Sequence, residues 1–377
     1  MYQPVRYYDA PRQHSIAPLC MCCFALLIIT IVGVGLVPLV MSENFSISLL
    51  FSTVDDAEIS LAFDKFVNDY SKAYETPEER EKRLEVFAGN YKRIVDFNNK
   101  NGDSLTLGVN QFADLNEEEF EQMYLKYPTD NPQCTVAKKS FLHFQPPQKT
   151  ESTFSPEINW IEKGKVLPVK DQGSCGSCWT FAATSTIEIL YAIRENLSPP
   201  NLVRMSEQQL VDCCTTTQSH GCSGGIVGEA FDYAKDKGLA RSADYPYHAM
   251  NEDCKDGSVK PVYKLDGYKN ITAGDVDEME KMIMDRSIAI GVAAGYFAFR
   301  FYKSGVVDRG CPDYPINHGV AIVGAGNEGG KDYWLVRNSW GGNWGANGYI
   351  KIARRGPGMG YCAISACPQI ALYKEKA

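Results

Sequence analysis

Hydrophobic positions along the chain fall into three regimes. The first is the run Leu19 to Met41 (LCMCCFALLIITIVGVGLVPLVM), 23 residues without a charged side chain or a polar face. As a helix it would measure about 34 Å at 1.5 Å per residue, enough to cross a bilayer. Arg6 and Arg12 precede it, and no Lys or Arg follows until Lys65. That bias predicts a cytosolic segment 1–18, a transmembrane signal-anchor 19–41 and a lumenal remainder. A cleaved signal peptide is the alternative, because Val40 and Ser42 stand at a spacing that a signal peptidase accepts. The second regime, Asp55 to about Tyr127, is charged, rich in helix formers and contains only Pro77. It reads as helical. Within it Glu79, Arg83, Phe87, Asn90, Ile94 and Asn98 recur at spacings of four, four, three, four and four, which places them on one stripe of a single long helix. In the third regime, beyond Asn159, tight glycine motifs alternate with apolar runs. Cys178 to Glu195 and Ser206 to Cys213 read as helices there, whereas Ile288 to Ala294, Val320 to Val323, Tyr333 to Arg337 and Tyr349 to Ile352 read as strands. A helical half precedes a β half, so the fold class expected is α+β.

Between the second and third regimes the composition shifts to Pro, Gln, Thr and Lys with no steady period. That is linker chemistry, and residues 128–153 are the expected site of a proteolytic cut between a segment 56–127 and a body 154–377. Apolar residues at 44% and charged residues at 22% exclude a mostly disordered, collagenous or polytopic membrane protein. The formal charge of −8 excludes a nucleic-acid binder that relies on a net basic surface. Thirteen cysteines fit an oxidising compartment, where either reading of the apolar run would deliver the chain.

One loop concentrates the chemistry. QGSCGSCWTF brings Gln172, Cys175 and Cys178 together at the start of a predicted helix. A thiol becomes a useful nucleophile as thiolate, and a helix N-terminus favours that anion. Cys178 begins the helix, so it is the candidate nucleophile and Cys175 a structural cysteine. A redox couple or half a zinc site is the other meaning of C-x-x-C, but no further pair of ligands or βαβ context accompanies it. The nucleophile needs an imidazole. Among His14, His143, His220, His248 and His318, the last stands in NHGVAIVGAG at the mouth of a β run. Asn338, in VRNSWGGNWGANGYI, offers a carbonyl oxygen to orient the His318 ring, with Trp340 to shield that bond from water. Gln172 can aim its amide at a developing oxyanion, beside the backbone N–H of Cys178.

The stripe from Glu79 to Asn98, followed by Gly108, Asn110, Phe112 and Asp114 in GVNQFAD, resembles the two signature motifs of the inhibitory propeptide of papain-like cysteine proteases. CGSCW (Cys175 to Trp179) resembles the nucleophile motif of the same family, and the chain is most similar to its cathepsin L-like branch. The resemblance covers roughly residues 56 to 373. It implies a two-lobe fold, with a helical left lobe and a β-barrel-like right lobe behind a helical inhibitory prodomain. It implies a cysteine endopeptidase made as a zymogen, with catalytic Cys178, His318, Asn338 and Gln172. Disulfides Cys175–Cys222, Cys213–Cys254 and Cys311–Cys362 follow by the same resemblance. Cys214–Cys254 is an alternative pairing, and the states of Cys214 and Cys367 stay open. Gly224 and Gly225 of GCSGG match the family's substrate-binding glycine loop. Ile226, Val227, Gly291, Ile316 and Cys367 would line the pocket for the side chain two before the scissile bond, predicting Leu, Val, Phe or similar there. No histidine-bearing insertion stands near Cys254, which favours an endopeptidase over an exopeptidase. No metal or organic cofactor is implied. The implied partners are peptide and protein substrates, the chain's own propeptide as inhibitor, and a membrane through residues 19–41. A monomeric mature enzyme in a lysosome- or vacuole-like acidic compartment, or a secreted one, completes the expectation. Asn44, Asn196 and Asn270 head glycosylation sequons. The many carboxylates of residues 75–121 suggest acid release of the pro-segment. The rivals are a catalytically silent peptide- or inhibitor-binding relative and a transglutaminase-like transferase.

Overall fold

The computed structural model describes residues 54–128, 131, 156–311, 315–356 and 358–373. The expected segments 1–18 and 19–41, nearly all of the linker 128–153, Asn44 and the histidines at 14 and 143 lie outside them. Among the described residues no helix is long and apolar enough to cross a membrane.

Two helices open the amino-terminal unit. Helix α1 (Asp56–Asp69) is capped by the Asp55 carboxylate, which accepts the Glu58 N–H. Thr76 accepts the Glu79 N–H to start α2 (Pro77–Asn101), whose first turn takes Pro77 without losing a bond. The six-residue stripe sorts by chemistry. Phe87 is fully buried, its ring 5.3 Å from Phe63 and 5.1 Å from Phe66 of α1. The polar members bind backbone. Asn90 Nδ2 donates to the carbonyls of Ala113 (2.9 Å) and Leu115 (3.0 Å). Asn98 donates to Leu107 O at 2.9 Å and accepts its N–H at 2.8 Å. Arg83 donates to Asp114 O at 3.0 Å and pairs with Glu119 at 2.8 Å. Glu79 accepts the Glu75 N–H at 2.8 Å, closing the turn ahead of the helix. An amphipathic helix alone needs none of these; a helix that clamps a returning chain needs the bonds of Arg83, Asn90 and Asn98.

That returning chain corrects the helical reading of residues 55 to 127. Leu105–Leu107 is a strand, β1, with both leucines buried, and it pairs antiparallel with β5 (Tyr302–Val307) of the carboxy-terminal body. After it, Asn116 and Glu119 form a reciprocal capping box for α3 (Glu117–Tyr124). The core of the amino-terminal unit extends into the body as well, since Ala298 and Phe301 pack with Phe63, Phe87 and Ile94. Arg93 of α2 lies over the Phe297 ring at 3.9 Å. Phe87→Ala is therefore expected to cost about 3–5 kcal/mol in the amino-terminal unit. Limited proteolysis checks it: cleavage within 54–128 should accelerate strongly while the body stays protected.

The body has a helical part and a β part, as expected. Helix α4 (Cys178–Arg194) is buried along nearly its whole length, with α5 (Glu207–Cys213) and α6 (Val227–Asp236) as neighbours. Glu195 is the C-cap of α4 rather than its last residue, and Ser206 caps α5 instead of opening it. The sheet contains β3 (Gly267–Asn270), β4 (Ile288–Val292), β6 (His318–Glu328), β7 (Lys331–Arg337), β8 (Tyr349–Ala353) and β9 (Gln369–Leu372). Its strand order is β1-β5-β8-β7-β6-β4-β9-β3, with β2 (Ile158–Asn159) also on β6. Strand β6 begins earlier than its apolar run because His318 and Gly319 pair with Val292 and Gly291. Strands β3 and β9 at one end of the sheet, and the short helices α7 (Val276–Met282) and α8 (Phe297–Arg300) within the β half, lack the alternation that would have revealed them.

Disulfides Cys175–Cys222, Cys213–Cys254 and Cys311–Cys362 are formed and close loops of 47, 41 and 51 residues. Each is worth about 4 kcal/mol in the chain-entropy model. The alternative Cys214–Cys254 bridge is thereby excluded. Cys214 is a buried free thiol, pushed up to about 12 by burial, with Sγ 3.5 Å from Glu229 O. Cys367, left open by the sequence, is disulfide-bonded and holds no free thiol.

Candidate active site

The nucleophile loop is folded so that α4 can begin at Cys178. The Cys175–Cys222 bridge ties it down, and the Gly176 N–H donates to Cys222 O at 2.9 Å. Gly173 takes a φ of +59°, which a glycine adopts without strain. A residue that the sequence did not single out braces the turn. The Tyr247 hydroxyl donates to Gln172 O at 2.8 Å and lies 2.6 Å from Ser177 Oγ. Its Tyr-Pro-Tyr loop carries no signal for that role.

His318 opens β6 opposite Val292, and its ring stacks on Trp340 with centroids 4.6 Å apart. Its Nε2 is 2.7 Å from Asn338 Oδ1. The Ser339 N–H also donates to that oxygen at 2.7 Å, which identifies it as the carbonyl oxygen and an acceptor. The imidazole therefore carries its proton on Nε2 and presents Nδ1 as a lone pair. Nδ1 is buried and has no hydrogen-bond partner among the described residues. The next residue, Gly319, directs its N–H at the Cys178 sulfur, and a Cβ there would lie 3.4 Å from the Cys178 carbonyl. Helix α4 and strand β6 meet at this point.

Gln172 is held at both ends. Its Oε1 accepts from Ser339 Oγ at 2.6 Å, which turns Nε2 toward Cys175 O at 3.0 Å and Tyr124 O at 3.4 Å. Ser339 was not anticipated, although it adjoins Asn338. His220 and His248 play no part here: His220 is exposed, and His248 pairs with Glu252 at 2.6 Å.

The amino-terminal unit fills the cleft. Phe112, Phe120 and Tyr124 meet the Trp340 ring edge-on at 5.2, 5.4 and 6.4 Å. Asn110 Nδ2 donates to Arg300 O at 2.7 Å, and the Gly108 N–H to Phe301 O at 2.8 Å. Asp114 accepts from Lys72 at 2.9 Å and Tyr74 at 3.0 Å. Arg300, which the sequence reading missed, donates to the carbonyls of Phe112 (2.5 Å), Leu115 (2.6 Å) and Asn116 (3.3 Å). Lys126 then crosses the glycine loop. A Cβ on Gly224 would stand 2.0 Å from Lys126 O, and one on Gly176 would stand 2.4 Å from Lys126 Cγ. Gly225 is needed for a different contact, because a Cβ there would press on the Trp179 indole at 2.5 Å. Of the expected pocket residues, Val227, Ile316 and Cys367 pack in one buried cluster with Tyr127 and Cys178. Gly291 abuts Ile316 and Tyr127. Ile226 is buried next to Val227 in the chain but does not join that cluster.

This cover sets the charge state. Cys178 and His318 are both fully buried. Burial pushes the thiol up to about 11, although the N–H groups of Gly319, Trp179 and Lys126 oppose it. It pushes the imidazole down to about 4 against the Asn338 hydrogen bond. Between those values the pair is neutral thiol and neutral imidazole, not the ion pair expected of an open site.

A thiol at the head of a helix, an imidazole oriented by an amide, and a second amide beside them, all covered by the chain's own segment, define a thiol hydrolase in its inhibited form. A family model for the papain family cysteine proteases matches residues 154–372, and one for the cathepsin propeptide inhibitor domain matches residues 63–120. The chain is 38% identical over 308 residues to cysteine protease XCP2 of Arabidopsis thaliana, covering 80% of this chain and 83% of that protein. It is 36% identical over 312 residues to the cathepsin L-like proteinase of Fasciola hepatica, covering 81% and 91%. Its fold matches the proform of the Amb a 11 cysteine protease, a major ragweed pollen allergen, with a TM-score of 0.72 at 33% identity, over 85% of this chain and 97% of the other. The chain belongs to the papain family. It is a cysteine protease zymogen with its own propeptide as inhibitor.

Proposed function

We propose that Cys178, His318, Asn338 and Gln172 carry out peptide hydrolysis as one unit. Once the pro-segment leaves, the Cys178 proton passes to His318 Nδ1 and the thiolate adds to the substrate carbonyl. Gln172 Nε2 and the Cys178 N–H receive the developing oxyanion, His318 returns the proton to the leaving amine, and water then hydrolyses the thioester. The observation that carries this reading is the His318–Asn338 contact of 2.7 Å, which leaves Nδ1 unprotonated beside the residue that faces the sulfur. Labelling of the matured protein at Cys178 by an epoxide thiol probe tests it, and absence of labelling together with absence of peptide cleavage would favour a silent peptide-binding relative. Gln172→Ala is expected to lower kcat by about 10²–10³ with little change in KM, because an oxyanion donor acts in the transition state. Steady-state kinetics on a fluorogenic peptide reads this out.

The substrate side chain two before the scissile bond enters the pocket of Val227, Gly291, Ile316 and Cys367, beside Ile226, all uncharged, which favours apolar residues there. Gly224 keeps the backbone path clear, Gly225 lets the loop pack on the Trp179 indole, and Trp340 walls the opposite side. The domain plan we infer is 1–18 cytosolic, 19–41 signal-anchor or signal peptide, 56–127 inhibitory propeptide, 128–153 linker with the maturation cut and 154–377 peptidase. Its support is the uncharged run at 19–41 and the charge asymmetry around it. Delivery to a lysosome- or vacuole-like compartment, with glycans on the exposed Asn196 and Asn270, belongs to the same reading.

Acid release fits that destination. Burial raises Glu119, but the Asn116 N–H and the Arg83 guanidinium outweigh it and hold the carboxyl below its ordinary 4.5. A lowered carboxyl stabilises the folded propeptide at neutral pH and loses that contribution as pH falls through its folded value. Glu121 works the other way, since burial and then Glu117 raise it and acid favours its covered form. Glu119→Gln is accordingly expected to process at pH 6 as fast as the parent does near pH 4. Gel-monitored maturation across pH 4–7 checks this; parallel profiles for the two proteins would reject the role of Glu119.

A further inference from the structure

The loop that carries both proposed oxyanion donors has little to hold it from within. Between Gln172 and Cys178 the chain reads Gly-Ser-Cys-Gly-Ser. The Cys175–Cys222 bridge pins its middle. Its two ends meet at one hydroxyl. The Tyr247 phenol lies 2.8 Å from Gln172 O and 2.6 Å from the Oγ of Ser177, the residue before Cys178. A carbonyl oxygen only accepts, so the single phenol proton goes to Gln172 O and the Ser177 hydroxyl donates to the phenol oxygen. The other acceptor within reach of Ser177, Cys175 O, is farther away at 3.5 Å. Ser177 is the N-cap of α4, yet its side chain makes no bond to the first turn. It is turned to Tyr247 instead and does not compete for the N–H groups at the helix head.

The phenol is itself fixed. Its ring meets Phe181 of α4 edge-on at 5.0 Å. The loop that presents it is strapped to α5 and its cap. The Ser206 hydroxyl donates to Tyr245 O at 2.6 Å, the His248 N–H to Gln208 Oε1 at 2.8 Å, and the Tyr245 hydroxyl to Asp212 Oδ2 at 2.9 Å. All of these groups belong to the body, so the brace outlasts the pro-segment. Gln172 is then held from two sides, since its N–H donates to Ser339 O at 2.9 Å and its amide oxygen accepts from Ser339 Oγ. Ser339 fixes where the side-chain amide points, and Tyr247 fixes the Gln172 backbone relative to Cys178. A donor displaced by a fraction of an ångström stabilises a transition-state charge less.

We propose that Tyr247 is a positioning residue for peptide hydrolysis, its hydroxyl setting the spacing between the Gln172 amide and the Cys178 N–H. The inference rests on the reading above that these two groups receive the oxyanion. The test compares the matured parent, Tyr247→Phe, Ser177→Ala, Gln172→Ala and the double variant of Tyr247→Phe with Gln172→Ala on a fluorogenic peptide, and measures iodoacetamide alkylation of Cys178 wherever kcat is measured. Alkylation displaces iodide and builds no oxyanion. Tyr247→Phe keeps the ring on Phe181 and is expected to lower kcat about tenfold, with KM and the alkylation rate within about twofold of the parent. Ser177→Ala, which leaves the phenol on Gln172 O, is expected to lose about threefold in kcat with the same split. In the Gln172→Ala background Tyr247→Phe should cost no more than about threefold, because only the Cys178 N–H remains to be misplaced. Unchanged kcat in Tyr247→Phe, a parallel fall in kcat and alkylation, or full multiplication of the two effects in the double variant overturns the proposal, while a slow Gln172→Ala keeps the oxyanion reading standing. Parent-like kcat in Gln172→Ala overturns that reading, and the proposal with it.

Discussion

Alkylation of Cys178 at pH 7 is expected to be about 10⁴-fold slower in the zymogen than in the matured protease. Only the thiolate reacts at a useful rate. With the thiol pushed up to about 11, roughly one molecule in 10⁴ is ionised at pH 7. Removing the pro-segment returns water to the sulfur and the ring, and with it most of the desolvation that holds the proton on sulfur. The lone pair on His318 Nδ1 then becomes its acceptor. Brief exposure to iodoacetamide before any processing, with mass spectrometry to locate the adduct, measures the ratio. Cys214 supplies an internal reference, because its burial lies against Glu229 and does not involve the cleft. Rates at Cys178 within tenfold of each other would show that the pro-segment leaves the nucleophile charged.

The same proton transfer has a consequence for maturation. In the covered site one proton resides on sulfur, and in the open site one proton resides on the ring. The pair binds the same number of protons in both states over the neutral and mildly acidic range, so its conversion contributes no pH dependence to opening. Acid sensitivity must come from groups whose proton count differs between the two states. Glu119, lowered by Asn116 and Arg83, has the required sign, and Glu121 the opposite one.

The residues proposed for catalysis were legible in the sequence because their signals are local. A cysteine at a helix start, a histidine before a β run and an Asn-Ser-Trp turn each announce themselves within a few positions. The propeptide stripe was legible for the same reason, and Arg83, Asn90 and Asn98 clamp the chain that returns beneath them. What stayed hidden depends on long-range contact. Arg300 reads as a charge in a surface helix until the carbonyls of Phe112, Leu115 and Asn116, more than 180 residues away, converge on it. Strand β1 has three residues and no periodicity of its own; its partner β5 lies on the other side of the linker. Tyr247 and Ser339 each act through a single side-chain hydroxyl, and a single hydroxyl leaves no pattern. The neutral state of the catalytic pair was equally beyond the sequence, since it arises from burial under Tyr124 to Tyr127 rather than from residue identity.

Cys178→Ala is expected to lower kcat/KM by at least about 10⁴-fold and to leave a zymogen that does not cut its own linker. The loss should be chemical rather than structural. The sulfur makes no disulfide, and α4 is fixed by the Cys175–Cys222 bridge and by buried side chains along its length. A thermal midpoint within a few degrees of the parent verifies this. His318→Ala should cost about as much, because the thiolate and its proton acceptor act as a unit. Combining Cys178→Ala with His318→Ala should then add almost nothing further. Independent contributions would instead multiply, and a double variant far slower than either single one would mean that the two residues serve separate steps. Residual turnover above the uncatalysed rate is expected in all three variants, carried by Gln172 and the binding pocket. That remainder should fall further, but not vanish, when Gln172→Ala is added, because one of the two proposed oxyanion donors is lost while the Cys178 N–H and the binding pocket remain.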